Sequence, residues 1–305
     1  MRPWRFIHAT DIHVGSPRSF RFETAWNANW QTARQQIVEL APDLLLVGGD
    51  LARDGSFHRW ELEAVKADLD ALPFPVHVVP GNMDTGNKHT EAASRRRDDV
   101  SLNLTSEQVA QFRGVFGPTE WSFLHKGVRF SGLCDMLAGS GLPEEEALWA
   151  WLEAQAGEPK ARHHVWLMHY PPFLHSPSEP NADITDPAQY CTWYFGMDEP
   201  QRGRLLDAFR ATGADLVLCG HVHCRKTHLA GGMRFDIGAS TAFPQQAGRW
   251  PDGDPTLGFA LYEVSDAGIE HRFVPLARVS AAKGYGPGGH PPPEARDYSL
   301  AWEKG

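Results

Sequence analysis

The sequence predicts an α/β fold built on a largely parallel β-sheet. Five short apolar runs are each followed by glycine, proline or a polar residue, which is typical of strands in a buried sheet. Helix-periodic segments separate the first three runs, and this βαβαβ order implies right-handed crossovers between parallel strands. The predicted strands occupy residues 4–7, 44–47, 76–79, 164–168 and 215–219.

The connections between the first three strands are predicted to be helices. Apolar residues recur at three- and four-residue steps over residues 23–40 and again over residues 57–72. In the second helix, Trp60, Val65 and Leu69 would face inward. Because ligand sites in parallel sheets form beyond the carboxyl ends of the strands, we expect the functional site at that edge.

The middle of the chain combines helices with a β-hairpin. Thr105 and Gln108 fit the capping box of a helix that ends near Phe116. Apolar runs on both sides of Lys126-Gly127 predict the hairpin. Two further helices are predicted over residues 143–156 and 199–212, the second ending at Gly213.

The later part of the chain is predicted to contain a lid and more strands. The long stretch after residue 169, to about residue 198, is irregular, which is typical of a lid or a binding loop. Three later apolar runs predict strands that build a second sheet against the first. They cover residues 233–238, 258–264 and 269–274. Residues 280–305 are rich in glycine and proline and predict an extended or disordered tail beyond a domain of residues 1–279.

Composition restricts the classes of partner. The 305-residue chain carries a net charge of −9, so a broad basic surface for duplex nucleic acid is not expected. An acidic chain still binds phosphate where metal ions supply local positive charge. The basic run at residues 95–97 is followed by Asp98 and Asp99, which favours a solvated loop over a phosphate-contacting one.

Cysteine spacing and the absence of long apolar runs indicate in which cellular compartment the protein is expected. The four cysteines form no Cys-x-x-Cys pair, which favours reduced thiols. The chain enters its first strand without an apolar signal segment, and no run reaches the roughly 18 apolar residues of a membrane helix. We therefore expect a soluble, cytoplasmic protein without membrane contacts, and the sequence leaves its oligomeric state open.

Polar residues at the ends of the predicted strands are candidate metal ligands. Carboxylate, amide and imidazole groups are donors that divalent metals accept. Seven donors exceed one tetrahedral site and suit two ions that share a bridging carboxylate. His221 and His223 would point the same way if the backbone between them stays extended. The seven are Asp11, His13, Asp50, Asn82, His169, His221 and His223.

Five blocks of the sequence resemble the signature of the calcineurin-like metallophosphoesterases. The blocks are Asp11-x-His13, Gly49-Asp50, Gly81-Asn82-x-Asp84, His169 and Gly220-His221-x-His223. They stand in the family's order, and the resemblance extends from about residue 6 to about residue 275. It implies a four-layer αββα sandwich of two mixed β-sheets flanked by helices.

The resemblance also implies a role for each donor. Asp11, His13 and His223 would hold a first divalent transition metal ion, and Asp50 would bridge it to a second. The other three donors, Asn82, His169 and His221, would hold the second ion. Manganese, iron and zinc all fit such donors. A hydroxide held between two ions about 3.5–4 Å apart would attack the phosphorus of a small phosphate ester.

One position departs from the family pattern. Met83 stands where the family has a histidine that protonates the leaving oxygen or stabilises the transition state, and a thioether donates no proton. Another acid would have to reach in, with His58, His89 and His175 as candidates, unless the leaving group needs none or activity is low. Asp84 is expected to orient a neighbouring ligand, so Asp50, Asn82 and Asp84 form the predicted catalytic set.

The substrate class is less constrained. The segment Asp50-Leu51-x-x-Asp54-Gly55 resembles the bacterial cyclic-nucleotide phosphodiesterase branch. Three aromatic residues of the predicted lid would stack on a nucleotide base or another flat group, or else pack onto their own domain. They are Trp193, Tyr194 and Phe195. We therefore favour a phosphodiester, such as a cyclic nucleotide or another small diester, over a phosphomonoester or a phosphoprotein. A third hypothesis is a metal-binding protein in which the change to Met83 weakened or abolished catalysis.

Overall fold

Two mixed β-sheets form the centre of the protein. A computed structural model describes residues 2–16, 18–19, 23–89, 102–183, 186, 188–245 and 248–281. The first sheet has five strands in the order β11-β10-β1-β2-β3 and the second has six in the order β4-β5-β6-β7-β9-β8. The strands are β1 Trp4–Ala9, β2 Leu44–Val47, β3 Val76–Val78, β4 Trp121–His125, β5 Val128–Gly132, β6 His163–Leu167, β7 Leu216–Cys219, β8 Lys226–Ala230, β9 Met233–Ile237, β10 Gly258–Ser265 and β11 Gly268–Pro275.

Helices cover the outer faces of both sheets. The described helices are α1 Thr24–Leu40, α2 Arg59–Asp70, α3 Asn82–Thr85, α4 Ser106–Phe116, α5 Pro143–Ala156, α6 Tyr190–Phe195 and α7 Gln201–Thr212, with a 3-10 turn at Asp135–Leu137. The capping box of Thr105 and Gln108 is present at the start of α4, as predicted. The hairpin of β4 and β5 turns at Lys126-Gly127, also as predicted.

Alternate residues of the central strands face different layers, because strand side chains repeat every two residues. Phe6 of β1 points between the sheets, where its ring stacks on Tyr262 at 4.8 Å and meets Phe130 of the second sheet edge-on at 5.2 Å. The next residue, Ile7, packs in a cluster with Trp30 of α1 instead. Both faces of the strand are therefore buried, which confirms the four-layer αββα sandwich.

The predicted composition of the second sheet was wrong. Of the three late strands, only β9 lies in that sheet, where it pairs in parallel with β7. β10 pairs with β1 and β11 pairs with β10, both antiparallel, so they extend the first sheet. An apolar run predicts a strand but not its neighbour, since pairing joins segments that are distant in the chain.

Three local predictions also need correction. The stretch after residue 169 is not irregular throughout, because α6 lies within it. Strand β8 was missed, since its residues alternate in burial at the edge of the sheet and carry few apolar side chains. Trp60 is only partly buried, whereas Val65 and Leu69 are in the core.

Several predictions lie outside the described residues. The basic run at residues 95–97 with its two aspartates is one, and residues 282–305 of the predicted tail are another. Within the described part of the chain, no helix combines the length and the apolar character needed to cross a membrane.

Candidate metal centre

The seven predicted ligands meet at one edge of the sandwich. The first sheet supplies Asp11 after β1 and Asp50 after β2, and the second supplies His169 after β6. Strand β3 leads to the amino end of α3, where Asn82 lies, and β7 leads to the histidine pair. All seven side chains are buried, the most exposed being His223 at 6%.

The backbone turns sharply at five of these residues. Left-handed φ angles occur at Asp11 (52°), His13 (43°), Asp50 (49°), His221 (69°) and His223 (53°). Such angles cost L-residues on the order of 1 kcal/mol each, and they concentrate at functional sites. The backbone is therefore not extended at the two histidines, so the condition under which both rings would point the same way is not met. The chain turns there, and the two rings enter different clusters.

The first cluster contains Asp11, His13, Asp50 and His223, whose potential ligand atoms all lie within 4.8 Å of one another. His223 donates from Nδ1 to the carbonyl oxygen of Phe243 at 2.9 Å. Since a carbonyl only accepts, Nδ1 donates there and Nε2 is the nitrogen of this ring that faces the cluster. It lies 3.2 Å from Nε2 of His13 and 3.1 Å from a carboxylate oxygen of Asp11.

The second cluster contains Asp50, His169 and His221, again within 4.8 Å, with Asn82 beside them. His169 donates from Nδ1 to the Gly48 carbonyl at 2.7 Å, so Nε2 is its ligand atom and faces Oδ1 of Asn82 at 3.2 Å. His221 donates from Nε2 to the Tyr194 carbonyl at 3.0 Å, which leaves Nδ1 as its ligand atom. Asp50 belongs to both clusters and is placed to bridge them.

The facing nitrogen and oxygen atoms fit metal ions. Nitrogen and oxygen acceptors at about 3 Å repel each other unless a proton or a cation lies between them. Backbone carbonyls fix the tautomers of three of these histidines, an arrangement that is typical of metal-ligating imidazoles. The residues present therefore form a candidate dimetal site for divalent ions.

Protonation states agree with this chemistry. Burial lowers the pKa of both His13 and His221 to about 3, so these imidazoles are neutral. Burial would raise the pKa of Asp11, but the charge and hydrogen bond of His223 lower it to about 2. Burial likewise opposes ionisation of Asp50, yet His169 keeps the pKa of Asp50 far below its usual value. Both aspartates are therefore anionic.

The negative charge of Asp50 also acts on the pKa of His169. Burial by itself would lower the pKa of His169, but the carboxylate of Asp50 raises it to about 10. A metal ion at this position would require the neutral ring of His169 as its ligand, so it would compete with protonation of that ring.

Buried carboxylates hold the loops that carry the ligands. Asp84 accepts hydrogen bonds from the backbone N–H groups of Gly81 at 2.8 Å, Leu51 at 3.0 Å and Ala52 at 2.9 Å, which ties the Asp50 loop to α3. Burial together with the nearby charge of Asp50 raises the pKa of Asp84 to about 7.

A second supporting carboxylate was missed by the sequence reasoning. Asp135 accepts from the backbone N–H groups of His169 at 2.7 Å and Tyr170 at 2.9 Å. It follows the apolar run that contains β5, so the strand-end rule that found the ligands could also have found this residue.

Comparison with known proteins places this centre in a family. The family model described as calcineurin-like phosphoesterase matches residues 5–225. The chain belongs to the calcineurin-like phosphoesterase family. Its members use divalent metals, which agrees with the two clusters.

Individual relatives differ in the activity that they are named for. A Danio rerio protein named Serine/threonine-protein phosphatase CPPED1 is 28% identical over 306 residues, covering 91% of this chain and 86% of its own length. A probable cyclic nucleotide phosphodiesterase of Pseudoalteromonas sp. (strain SM9913) is 37% identical over 83 residues, covering 26% of this chain and 31% of its own length. A purple acid phosphatase from yellow lupin (Lupinus luteus) seeds shares the fold, with a TM-score of 0.60 at 13% identity over 92% of this chain and 53% of its own.

Met83 stands where this phosphoesterase departs from the family pattern, and its main chain still contacts a predicted ligand. The backbone N–H of Met83 donates to Oδ1 of Asp50 at 2.8 Å, and its sulfur lies 3.6 Å from Nδ2 of Asn82. The three histidines considered as substitutes make their contacts elsewhere. In the described residues, His58 packs on Trp60, His89 bonds to the Leu104 carbonyl, and His175 faces Asp252.

The predicted aromatic residues pack partly onto the phosphoesterase itself. The rings of Tyr194 and Phe195 lie 5.0 and 5.1 Å from that of His221, while Trp193 covers the ammonium of Lys88 at 4.7 Å. Phe195 and Trp193 are buried and Tyr194 is half-buried. Substrate stacking by these residues stays a prediction.

Aromatic residues also flank the first cluster, which the sequence reasoning missed. Phe243 lies 5.0 Å from the ring of His13 and 4.3 Å from that of His223, and it stacks on Trp26 at 4.4 Å. The guanidinium of Arg53 lies over Trp26 at 4.6 Å. Apolar rings thus border both clusters and limit the access of water to them.

Proposed function

We propose that this protein hydrolyses phosphate monoesters at two divalent metal ions. Asp11, His13 and His223 would hold the first ion, and Asp50 would bridge it to the second. The remaining donors, Asn82, His169 and His221, would complete the second position. The observation that carries the proposal is the convergence of potential ligand atoms from both sheets in two adjacent clusters that share Asp50.

The residues of the chain have distinct tasks in this reaction. When bound, the two ions would lower the pKa of water and neutralise phosphoryl charge. Asp50 and Asp11 supply negative charge where the ions bind. Asp84 holds the Asp50 loop through backbone N–H groups, and the carbonyls of Gly48, Phe243 and Tyr194 orient the imidazoles. We therefore assign Asp84 a positioning role rather than contact with substrate.

The choice of a monoester rests on the extent of the similarities. The sequence alone favoured a phosphodiester. The relative named a serine/threonine-protein phosphatase aligns with 91% of the chain, whereas the relative named a cyclic nucleotide phosphodiesterase aligns with 26%. We therefore place a phosphorylated serine or threonine side chain first and a small phosphodiester second.

The test compares both ester classes in the purified protein loaded with manganese, iron or zinc. We expect a phosphoserine peptide and p-nitrophenyl phosphate to be hydrolysed faster than bis(p-nitrophenyl) phosphate. Asp50→Asn should lower the rate by at least about 10³-fold, because it removes the bridging charge. Asp43→Asn is the matched control, since Asp43 pairs with Lys126 and contacts no predicted ligand in the described residues.

Two results would contradict the monoester proposal. A faster rate on the diester would favour the second candidate. Bound metal without turnover on either class would favour a metal-binding protein that has lost catalysis. In the latter case, Met83→His should create activity if the missing histidine is the reason.

A further inference from the structure

Tyr194 contacts two candidate ligands of the second cluster through two different groups. Its carbonyl oxygen accepts from Nε2 of His221 at 3.0 Å. Its hydroxyl oxygen accepts from Nδ2 of Asn82 at 3.3 Å. The main chain and the side chain of one residue therefore contact two ligands of the same predicted metal position.

The hydroxyl of Tyr194 and the sulfur of Met83 both lie beside the amide nitrogen of Asn82. Nδ2 of Asn82 is 3.6 Å from the sulfur of Met83 and 3.3 Å from the hydroxyl oxygen of Tyr194. A thioether donates no hydrogen bond, whereas a phenol both accepts and donates. While the Tyr194 oxygen accepts from Asn82, its O–H can thus donate to a group bound at the second cluster.

The segment that carries Tyr194 is held by its neighbours. Lys88 donates to the carbonyl of Gly196 at 2.5 Å, and its ammonium lies under the ring of Trp193. Phe195 is wedged between His221 and Trp250, with ring distances of 5.1 and 5.7 Å. A donor fixed in this way needs little reorganisation during a reaction, which is the condition for strong charge stabilisation.

We propose that the Tyr194 hydroxyl donates a hydrogen bond to the leaving-group oxygen, in the place that a histidine takes in the family pattern. This inference rests on the proposed function. As a water-derived oxygen bonds to phosphorus and the ester P–O bond breaks, the electron pair of the broken bond moves onto the leaving oxygen. The hydroxyl stabilises the charge that builds up there. The leaving oxygen then takes its proton from water.

The test is the dependence of Tyr194→Phe on the leaving group. An alkyl monoester such as phosphoserine develops a large charge on its leaving oxygen, whereas p-nitrophenolate spreads that charge over the ring. We expect the variant to lose about 10- to 100-fold in kcat on the phosphoserine peptide and less than about 3-fold on p-nitrophenyl phosphate. Metal content by elemental analysis should equal that of the wild type.

A rescue and a control sharpen the test. Met83→His in the Tyr194→Phe background places a hydrogen-bond donor beside Asn82 again. We expect it to recover most of the lost kcat on the phosphoserine peptide. Tyr262→Phe removes a hydroxyl that donates to Asp236 between the sheets. It should leave the ratio of the two rates unchanged. Equal losses on both substrates, or a loss of metal, would show that Tyr194 only supports Asn82 and would overturn the inference.

A binding measurement separates this inference from the proposed function. Inorganic phosphate has an oxygen in the position of the leaving group, so its Kd for the metal-loaded protein should rise about 2- to 10-fold in Tyr194→Phe. If the wild type hydrolyses neither substrate, the proposed function fails, and the phosphate Kd then tests only whether the Tyr194 hydroxyl donates to a bound phosphate oxygen. An unchanged Kd would then count against the inference.

Discussion

At the scale of single residues, the backbone carbonyl that each histidine contacts decides which of its ring nitrogens is left to face a cluster. His221 and His223 are two positions apart, yet they donate from different nitrogens. Nε2 of His221 donates to the carbonyl of Tyr194, whereas Nδ1 of His223 donates to the carbonyl of Phe243. The buried side chain of Val222 lies between them, and both histidines have left-handed φ angles. The two imidazoles therefore serve separate clusters with different nitrogens.

The first prediction concerns metal content. His223→Ala and His221→Ala should each reduce the bound metal from about two ions per chain to about one, because each removes one ligand from one cluster. Elemental analysis after gel filtration measures this. His271→Ala, at an exposed position on β11, is the control and should keep both ions. Equal loss of both ions in either variant would contradict separate clusters.

The second prediction concerns pH and stability. Burial and the nearby charge of Asp54 raise the pKa of Glu61 from its ordinary 4.5 to about 8. Because the folded pKa exceeds the unfolded one, the contribution of Glu61 to stability is complete below about pH 4.5 and is lost as the pH rises towards 8. Glu61→Gln should therefore raise the free energy of unfolding at pH 8 by on the order of 1–3 kcal/mol.

Denaturant unfolding at pH 5 and pH 8 measures this difference. Glu63→Gln, at an exposed position paired with Arg59, is the matched control and should change neither value by more than about 0.5 kcal/mol. A Glu61→Gln variant with the same pH dependence as the wild type would show that this carboxyl is already ionised in the folded protein.

At the scale of elements, the turns after the strands must pass very close to one another. A Cβ on Gly81 would lie 2.2 Å from both the backbone nitrogen and Oδ1 of Asp50. A Cβ on Gly220 would lie 2.0 Å from Oγ1 of Thr10. These glycines are required because loops from different strands touch there, and Gly81 in particular lets α3 reach the bridging aspartate.

The third prediction follows from that contact. Gly81→Ala should displace Asp50 by a large part of an ångström and lower the hydrolysis rate by about 10²-fold, with weaker metal binding. Rate measurements at saturating metal test this. Gly157→Ala, at the end of α5 with its nearest contact at 3.4 Å, should have wild-type activity. Full activity in Gly81→Ala would mean that the Asp50 loop shifts without cost.

At the scale of the whole molecule, the candidate dimetal site joins the two sheets. Asp11 and Asp50 follow strands of the first sheet, whereas His169, His221 and His223 follow strands of the second. The backbone of His221 also donates to the Asp11 carboxylate at 3.0 Å. Ions bound by both sets would stabilise the packing of the sheets, since metal binding to the folded state adds to its stability.

The fourth prediction is a dependence of thermal stability on metal. Removing the ions with a chelator should lower the Tm by about 5 °C or more, because ligand at 100 times its Kd contributes about 2.7 kcal/mol. Adding manganese or zinc back should restore it. The same chelator saturated with calcium controls for direct effects, and Asp50→Asn should show a much smaller shift. An unchanged Tm would argue against ions shared by the sheets.

Local signals predicted most helices and strands, and non-local contacts decided the rest. The capping box of α4 and the hairpin turn at Lys126-Gly127 depend on neighbours in sequence, so they were predictable. The partner of β10 and the helix α6 within the supposed irregular stretch depend on packing against distant segments. Edge strand β8 carries too few apolar residues for a periodicity signal.

The sequence by itself determined the set of candidate ligands, because polar residues directly after buried strands must emerge at the same edge of a parallel sheet. It could not assign the roles of individual atoms. Only the tertiary structure decided which nitrogen of each imidazole faces a cluster. The reason is that these choices depend on carbonyls and hydroxyls, such as those of Gly48, Phe243 and Tyr194, that reach the site from distant parts of the chain.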